Sequence, residues 1–350
     1  MKLTRLLFLA LSSALLISCT DDDDQQDSLG QYDNGIFILN EGSSNGGSVS
    51  FISNDLTQFT ADAYRSSNLT DFTGTYLQNI FFSGDYAYII SGGSNVINVV
   101  NRYTFKLVAK IEDGLKSPRY GVVKDGKAYV TNANTYAYAN STTGNTDDFI
   151  AVIDLASNTV ESKIDLNGTA NHIELANNKL YVSEPYNSDK IIVVNPTTKV
   201  VETTITVGTD ADTMEASDGI LYVIRSPYGS RSEIVKIKLT DLSKSTVTLD
   251  AISDEAKNLD IYNGKIYFTA KTKVFSMNTS ATTAPTSPLF EYSSTSAYGK
   301  MYGFAVHNDR IFIADGGDFA SNSKAYIYSL TGTLLKELTV GIGPNGFYFN

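Results

Sequence analysis

The reactive side chains in this sequence are few. Two histidines, His172 and His307, and one cysteine, Cys19, leave little means of building a Ser-His-Asp triad or a Cys/His metal centre. One cysteine also excludes an intramolecular disulfide. The residues best placed for chemistry are three carboxylates, Glu174, Glu215 and Asp260, spaced 41 and 45 residues apart in segments of similar pattern. Buried unpaired, they would be costly and would titrate high, so they face channel water or share a hard cation such as Ca²⁺. There is no Walker loop, and neither the Gly-x-Ser-x-Gly spacing at 42–46 nor the Gly-x-Gly-x-x-Gly spacing at 341–346 follows a strand and opens a helix, so neither is a nucleophile elbow or a dinucleotide fingerprint. The Gly-rich run 40–47 joins two strands without a helix N-terminus. Against this stand 22 Tyr, 17 Phe and no Trp, a stock better suited to binding than to acid–base catalysis. The net charge of -11, from 27 Lys+Arg and 38 Asp+Glu, argues against nucleic acid as a partner.

The elements that must position these groups come from an internal repeat. A turn followed by a short strand carrying an aromatic recurs at Phe37, Tyr88, Tyr129, Tyr181, Tyr222, Tyr267 and Phe312, at intervals of 51, 41, 52, 41, 45 and 45 residues. Each copy continues with a β-branched strand, an amphipathic strand, and a Gly- or Pro-led strand opening the next unit. Four strands per period of this length predict an all-β, seven-bladed β-propeller of four-stranded blades. The last segment, 341–349, matches an innermost strand, whereas the first copy lacks one. Pairing the two predicts that the C-terminal strand closes blade one and removes two sheet edges.

Ahead of the repeats, Lys2 and Arg5 precede an apolar run from Leu6 to Ile17, and Leu16-Ile17-Ser18-Cys19 reads as a lipobox. About 12 apolar residues are too few to span the ~30 Å hydrocarbon core. The expected organisation is a signal peptide at 1–18, a lipidated acidic tether at 19–33 starting with Cys19 and Asp21–Asp24, and the propeller at 34–350. The membrane is then met through the lipid anchor alone.

In such a fold the loops between second and third strands open on one face. Here they are 40–48, 132–148, 183–189, 225–232 and 315–323, carrying Glu41, Tyr136, Glu184, Tyr186, Arg225, Tyr228 and Asp315 as candidate ligand contacts. Aligning the inner strands places Gln78, Tyr120, His172, Thr213, Asn258, Tyr302 and Gly346 at one level of the channel mouth, with Arg119 just above. Two residues deeper come Ile80, Val122, Glu174, Glu215, Asp260, Phe304 and Tyr348. Gln78, Arg119, Tyr120, His172, Asn258 and Tyr302 join the binding candidates, and the three carboxylates are the candidate metal ligands.

Tyr129-Val130-Thr131-Asn132 after Asp125-Gly126-Lys127-Ala128 resembles the signature of YVTN, or YncE-like, propellers. The opening Gly35-Ile36-Phe37-Ile38-Leu39-Asn40-Glu41-Gly42 is similar to that of Bacteroidetes surface propeller lipoproteins, and Asp21–Asp24 resembles their acidic export signal. The resemblance implies an outer-membrane lipoprotein exposed at the cell surface. It also implies a small-molecule ligand, with a corrinoid as one candidate, and a TonB-dependent outer-membrane transporter as partner. Two alternatives stay open: a lactonase- or lyase-like enzyme using Glu174, Glu215 and Asp260 with a divalent metal, and a protein–protein scaffold.

Overall fold

The computed structural model describes residues 29–134, 147–183, 188–253 and 255–350. They form seven four-stranded antiparallel sheets, so the expected propeller and its blade count are observed. Blade two is typical. Its inner strand Leu77–Ser83 pairs with Tyr86–Ser91, then Val96–Asn101, then the outer Leu107–Ile111. Two-residue turns make the inner hairpins. Asp125 and Gly126 (φ 51° and 73°), and Asp218 and Gly219 (49° and 74°), take the positive φ at both positions that a tight hairpin requires. This is why Asn/Asp-Gly punctuates the repeat.

The repeat aromatics follow those turns and are all buried where one blade packs on the next. Successive core clusters link neighbouring blades. Tyr222, for example, packs with Phe268 and Leu259 of the following blade. Each aromatic withdraws about 150–250 Å² from water, so this single position supplies much of the glue between sheets.

Closure also occurs as expected. The strand Pro344–Phe349 pairs antiparallel with Gly35–Ser43, placing Tyr348 opposite Phe37 and Gly346 opposite Leu39. Two features depart from expectation. A short helix, Ala63–Ser67, capped by Asp62, which accepts from the Arg65 N–H at 3.1 Å, follows the outer strand of blade one. The segment 29–33, expected as free tether, is seated on the body, with Tyr32 fully buried. No helix among the described residues is long and apolar enough to cross a membrane.

Candidate binding site at the channel mouth

Every inner strand starts on the same face, which also carries the loops between second and third strands and the links between blades. The depth of each inner-strand residue is set from the opposite end. The tight turn holds Glu174 opposite Tyr181, Glu215 opposite Tyr222 and Asp260 opposite Tyr267. By the same rule Phe81 lies opposite Tyr88, and Ala305 opposite Phe312. The ring at this depth is therefore Phe81, Val122, Glu174, Glu215, Asp260, Ala305 and Tyr348. Ile80 and Phe304, expected there, are each one residue out of register. The correction lifts Gln78 and Tyr302 one step toward the mouth, level with Arg119.

At that level four blades meet. The Tyr302 phenol of blade seven donates to Glu41 Oε2 of blade one. Arg119 Nη1 of blade three donates to Gln78 Oε1 of blade two at 2.9 Å. The Gln78 amide also reaches Glu41, and the Arg119 guanidinium acts on its charge. Burial nevertheless dominates and pushes the Glu41 carboxyl above its usual range, with Tyr302, Arg119 and Gln78 opposing. Phe319 stands edge-on to Tyr302 at 4.8 Å, and the Glu41 N–H is fixed by the Gly343 carbonyl at 2.9 Å. The result is a pre-organised, half-buried collar with one acid, one guanidinium, one amide and one phenol.

The other anticipated residues divide. Tyr120 and His172 form a ring pair at the mouth, 4.2 Å between centroids. Tyr228 is 94% exposed. Asn258, Asp315 and Arg225, also anticipated as ligand contacts, each have partners within the fold. Asn258 donates to the Met301 carbonyl of the next blade at 2.7 Å. Asp315, buried, takes the Tyr292 hydroxyl at 3.1 Å and the Gly317 N–H at 3.0 Å. Arg225 is paired with Glu233 at 2.8 Å. Cys19, Tyr136, Glu184 and Tyr186 lie outside the described residues.

Sequence reasoning missed three rings on the same face: Phe72, Tyr76 and Tyr298, which are 53%, 44% and 89% exposed. They lie in links between blades, just ahead of inner strands. An aromatic outside the repeat register was the signal that could have found them.

Deeper in the channel, each carboxylate accepts a backbone N–H from the following blade. Glu174 takes Ala216 N at 3.2 Å, Glu215 takes Ile261 N at 2.7 Å, and Asp260 takes Val306 N at 3.1 Å. Burial pushes Glu174 up to about 7 against the relief from the Ala216 N–H. It raises Glu215 and Asp260 too, with Asp260 adding to the upward shift of Glu215. Among the described residues no three His, Cys, Asp or Glu side chains converge as a metal ion requires. Of the two alternatives, the shared Ca²⁺ site does not match this arrangement, in which the three carboxyls act as links between successive blades.

A family model described as a domain of unknown function, DUF5074, matches residues 34–308. The chain belongs to that family. All four residues of the collar lie within the span matched to DUF5074, whereas the closing strand lies beyond it. No curated protein matches this DUF5074 chain. Among solved structures it is similar to a quinonprotein alcohol dehydrogenase-like protein from Bacteroides thetaiotaomicron, at 17% identity and TM-score 0.66 over 90% of this chain and 78% of that one. A computationally designed protein, Ika8, gives 10% and 0.59 over 90% and 87%. Apo AztD from Citrobacter koseri gives 13% and 0.52 over 89% and 96%. At such identities the likeness of this DUF5074 protein to each extends to the fold alone.

Proposed function

We propose that this protein is a membrane-tethered binding propeller whose loop face captures a small ligand outside the cell. The observation that carries the reading is the convergence of Glu41, Gln78, Arg119 and Tyr302 from four blades at one channel mouth. Half-buried polar groups held in place before a ligand arrives lower the entropic cost of binding. The exposed rings Tyr76, Tyr228 and Tyr298 on the same face offer stacking area at low rotamer cost. The lipobox at Cys19 and the acidic run after it support an outer-membrane lipoprotein at the cell surface. Resemblance to Bacteroidetes propeller lipoproteins favours a corrinoid as ligand and a TonB-dependent transporter as docking partner.

Calorimetric titration of the mature protein with corrinoids tests this reading. Saturable binding by the wild type, weakened in Glu41→Gln with Arg119→Ala, is the expected result. Equal binding by both proteins would move the site away from the collar. No binding by either, with a protein partner recovered instead, would favour a scaffold.

A further inference from the structure

The chain enters the propeller on the face opposite the collar, and it is fastened there. The Tyr32 ring sits among Phe51, Phe105 and Phe37, with centroids 5.1, 5.7 and 6.2 Å away. Its N–H donates to the Tyr103 carbonyl at 2.8 Å, and its carbonyl accepts from Asn350 Nδ2 at 2.5 Å. Gly30 passes so close that a Cβ there would meet the Tyr103 carbonyl oxygen at 2.6 Å. Tyr103 lies in the turn between the third and fourth strands of blade two, and Asn350 follows the closing strand. Both therefore belong to the turn face. Leu29, whose N–H is held by Asp33 Oδ2 at 3.1 Å, leaves from that face.

From this we infer that in the tethered protein the turn face lies toward the membrane and the loop face points away from it. The inference rests on the tethering part of the proposed function. The leash from Cys19 to Leu29 can reach at most about 35 Å, whatever its conformation. The body is about 23 Å thick in its seven-residue strands alone, before loops are added. Turning the loop face down would require the leash to climb the whole flank nearly taut, with most of its freedom lost. Ligand then enters from the medium, and a membrane-embedded partner meets the turn face or the flank rather than the collar.

The test supplies its own anchor. The mature chain, with Cys19 replaced by an N-terminal histidine tag, is captured on vesicles of nickel-chelating lipid carrying a headgroup quencher. With Cys19 gone the chain contains no other cysteine. Single fluorophores can therefore be placed on the turn face by Asp85→Cys or Lys265→Cys, and on the loop face by Tyr228→Cys or Tyr298→Cys. Capture should quench the turn-face labels more strongly than the loop-face labels. Inserting about twenty Gly/Ser residues into the leash should erase the difference. Equal or reversed quenching with the native leash would overturn the inference. So would a difference that survives the long leash, because adhesion of one face to lipid would then set the orientation. Membrane release of Cys19→Ala in cells tests lipidation separately.

Discussion

The Tyr302 hydroxyl donates to the Glu41 carboxylate across 261 residues of sequence, joining the last blade to the first at the channel mouth. This contact lies next to the seam where the ring closes, so the collar and the closure depend on each other. Gln78 and Arg119 extend the same network to blades two and three.

Removing the phenol therefore has two readouts. Tyr302→Phe should lower stability by about 1 kcal/mol, the net worth of one such hydrogen bond, and should weaken ligand capture. Denaturant melts and calorimetric titration of the same protein check both. A loss of stability with unchanged affinity would place the ligand elsewhere.

The carboxyl links predict a pH dependence with a definite sign. Burial raises Glu174, Glu215 and Asp260 above their unfolded values. Their contribution to stability is thus complete below about pH 4 and is lost as the pH rises through the folded values, around 7 for Glu174. The melting temperature of the wild type should fall between about pH 5 and pH 8 relative to Glu174→Gln with Glu215→Gln and Asp260→Asn. Comparing the two proteins removes the opposite contribution of His307, which burial lowers. Parallel pH profiles would contradict the buried-carboxyl account.

Truncation after Thr339 should destabilise the whole ring rather than fray one end. It removes the strand Pro344–Phe349 and leaves Gly35–Ser43 with an unpaired edge. It also removes Asn350, which bonds the Tyr32 and Arg102 carbonyls. A loss of cooperative unfolding by calorimetry is expected, and an unchanged melting temperature would refute the closure.

Asn258 separates scaffold from site. Its side chain ties blade six to the Met301 carbonyl, and its φ of 55° suits Asn better than Ala. Asn258→Ala should cost about 1–3 kcal/mol in a denaturant melt while leaving affinity for ligand intact.

The blades, their order and their closure were legible because aromatic burial between sheets recurs at every copy. Tyr88, Tyr129 and Tyr181 mark it even though their intervals, 41 and 52 residues, differ by eleven. The collar was legible only in part. Bulges interrupt the mouth end of most inner hairpins, as between Leu77 and Asn79, between Pro118 and Gly121, and between Lys257 and Asp260. Each inserts an extra residue that leaves no trace in composition. The one-step displacement of Gln78 and Tyr302 has a different cause: pairing from the turn runs unshifted to Phe81 and Ala305, each seven residues before its repeat aromatic, Tyr88 or Phe312. Asn258 and Asp315 look like ligand contacts in sequence because a polar residue at a loop is equally suited to a backbone carbonyl or N–H. The short helix after Asp62 has too few residues to show a period.

Native mass spectrometry of the protein purified from its own host tests the central claim most directly. The account predicts that the wild type carries a small non-covalent ligand, and that the Glu41→Gln, Arg119→Ala double variant loses it while keeping its fold. A bare wild type, or the same adduct on both proteins, would contradict capture at the collar.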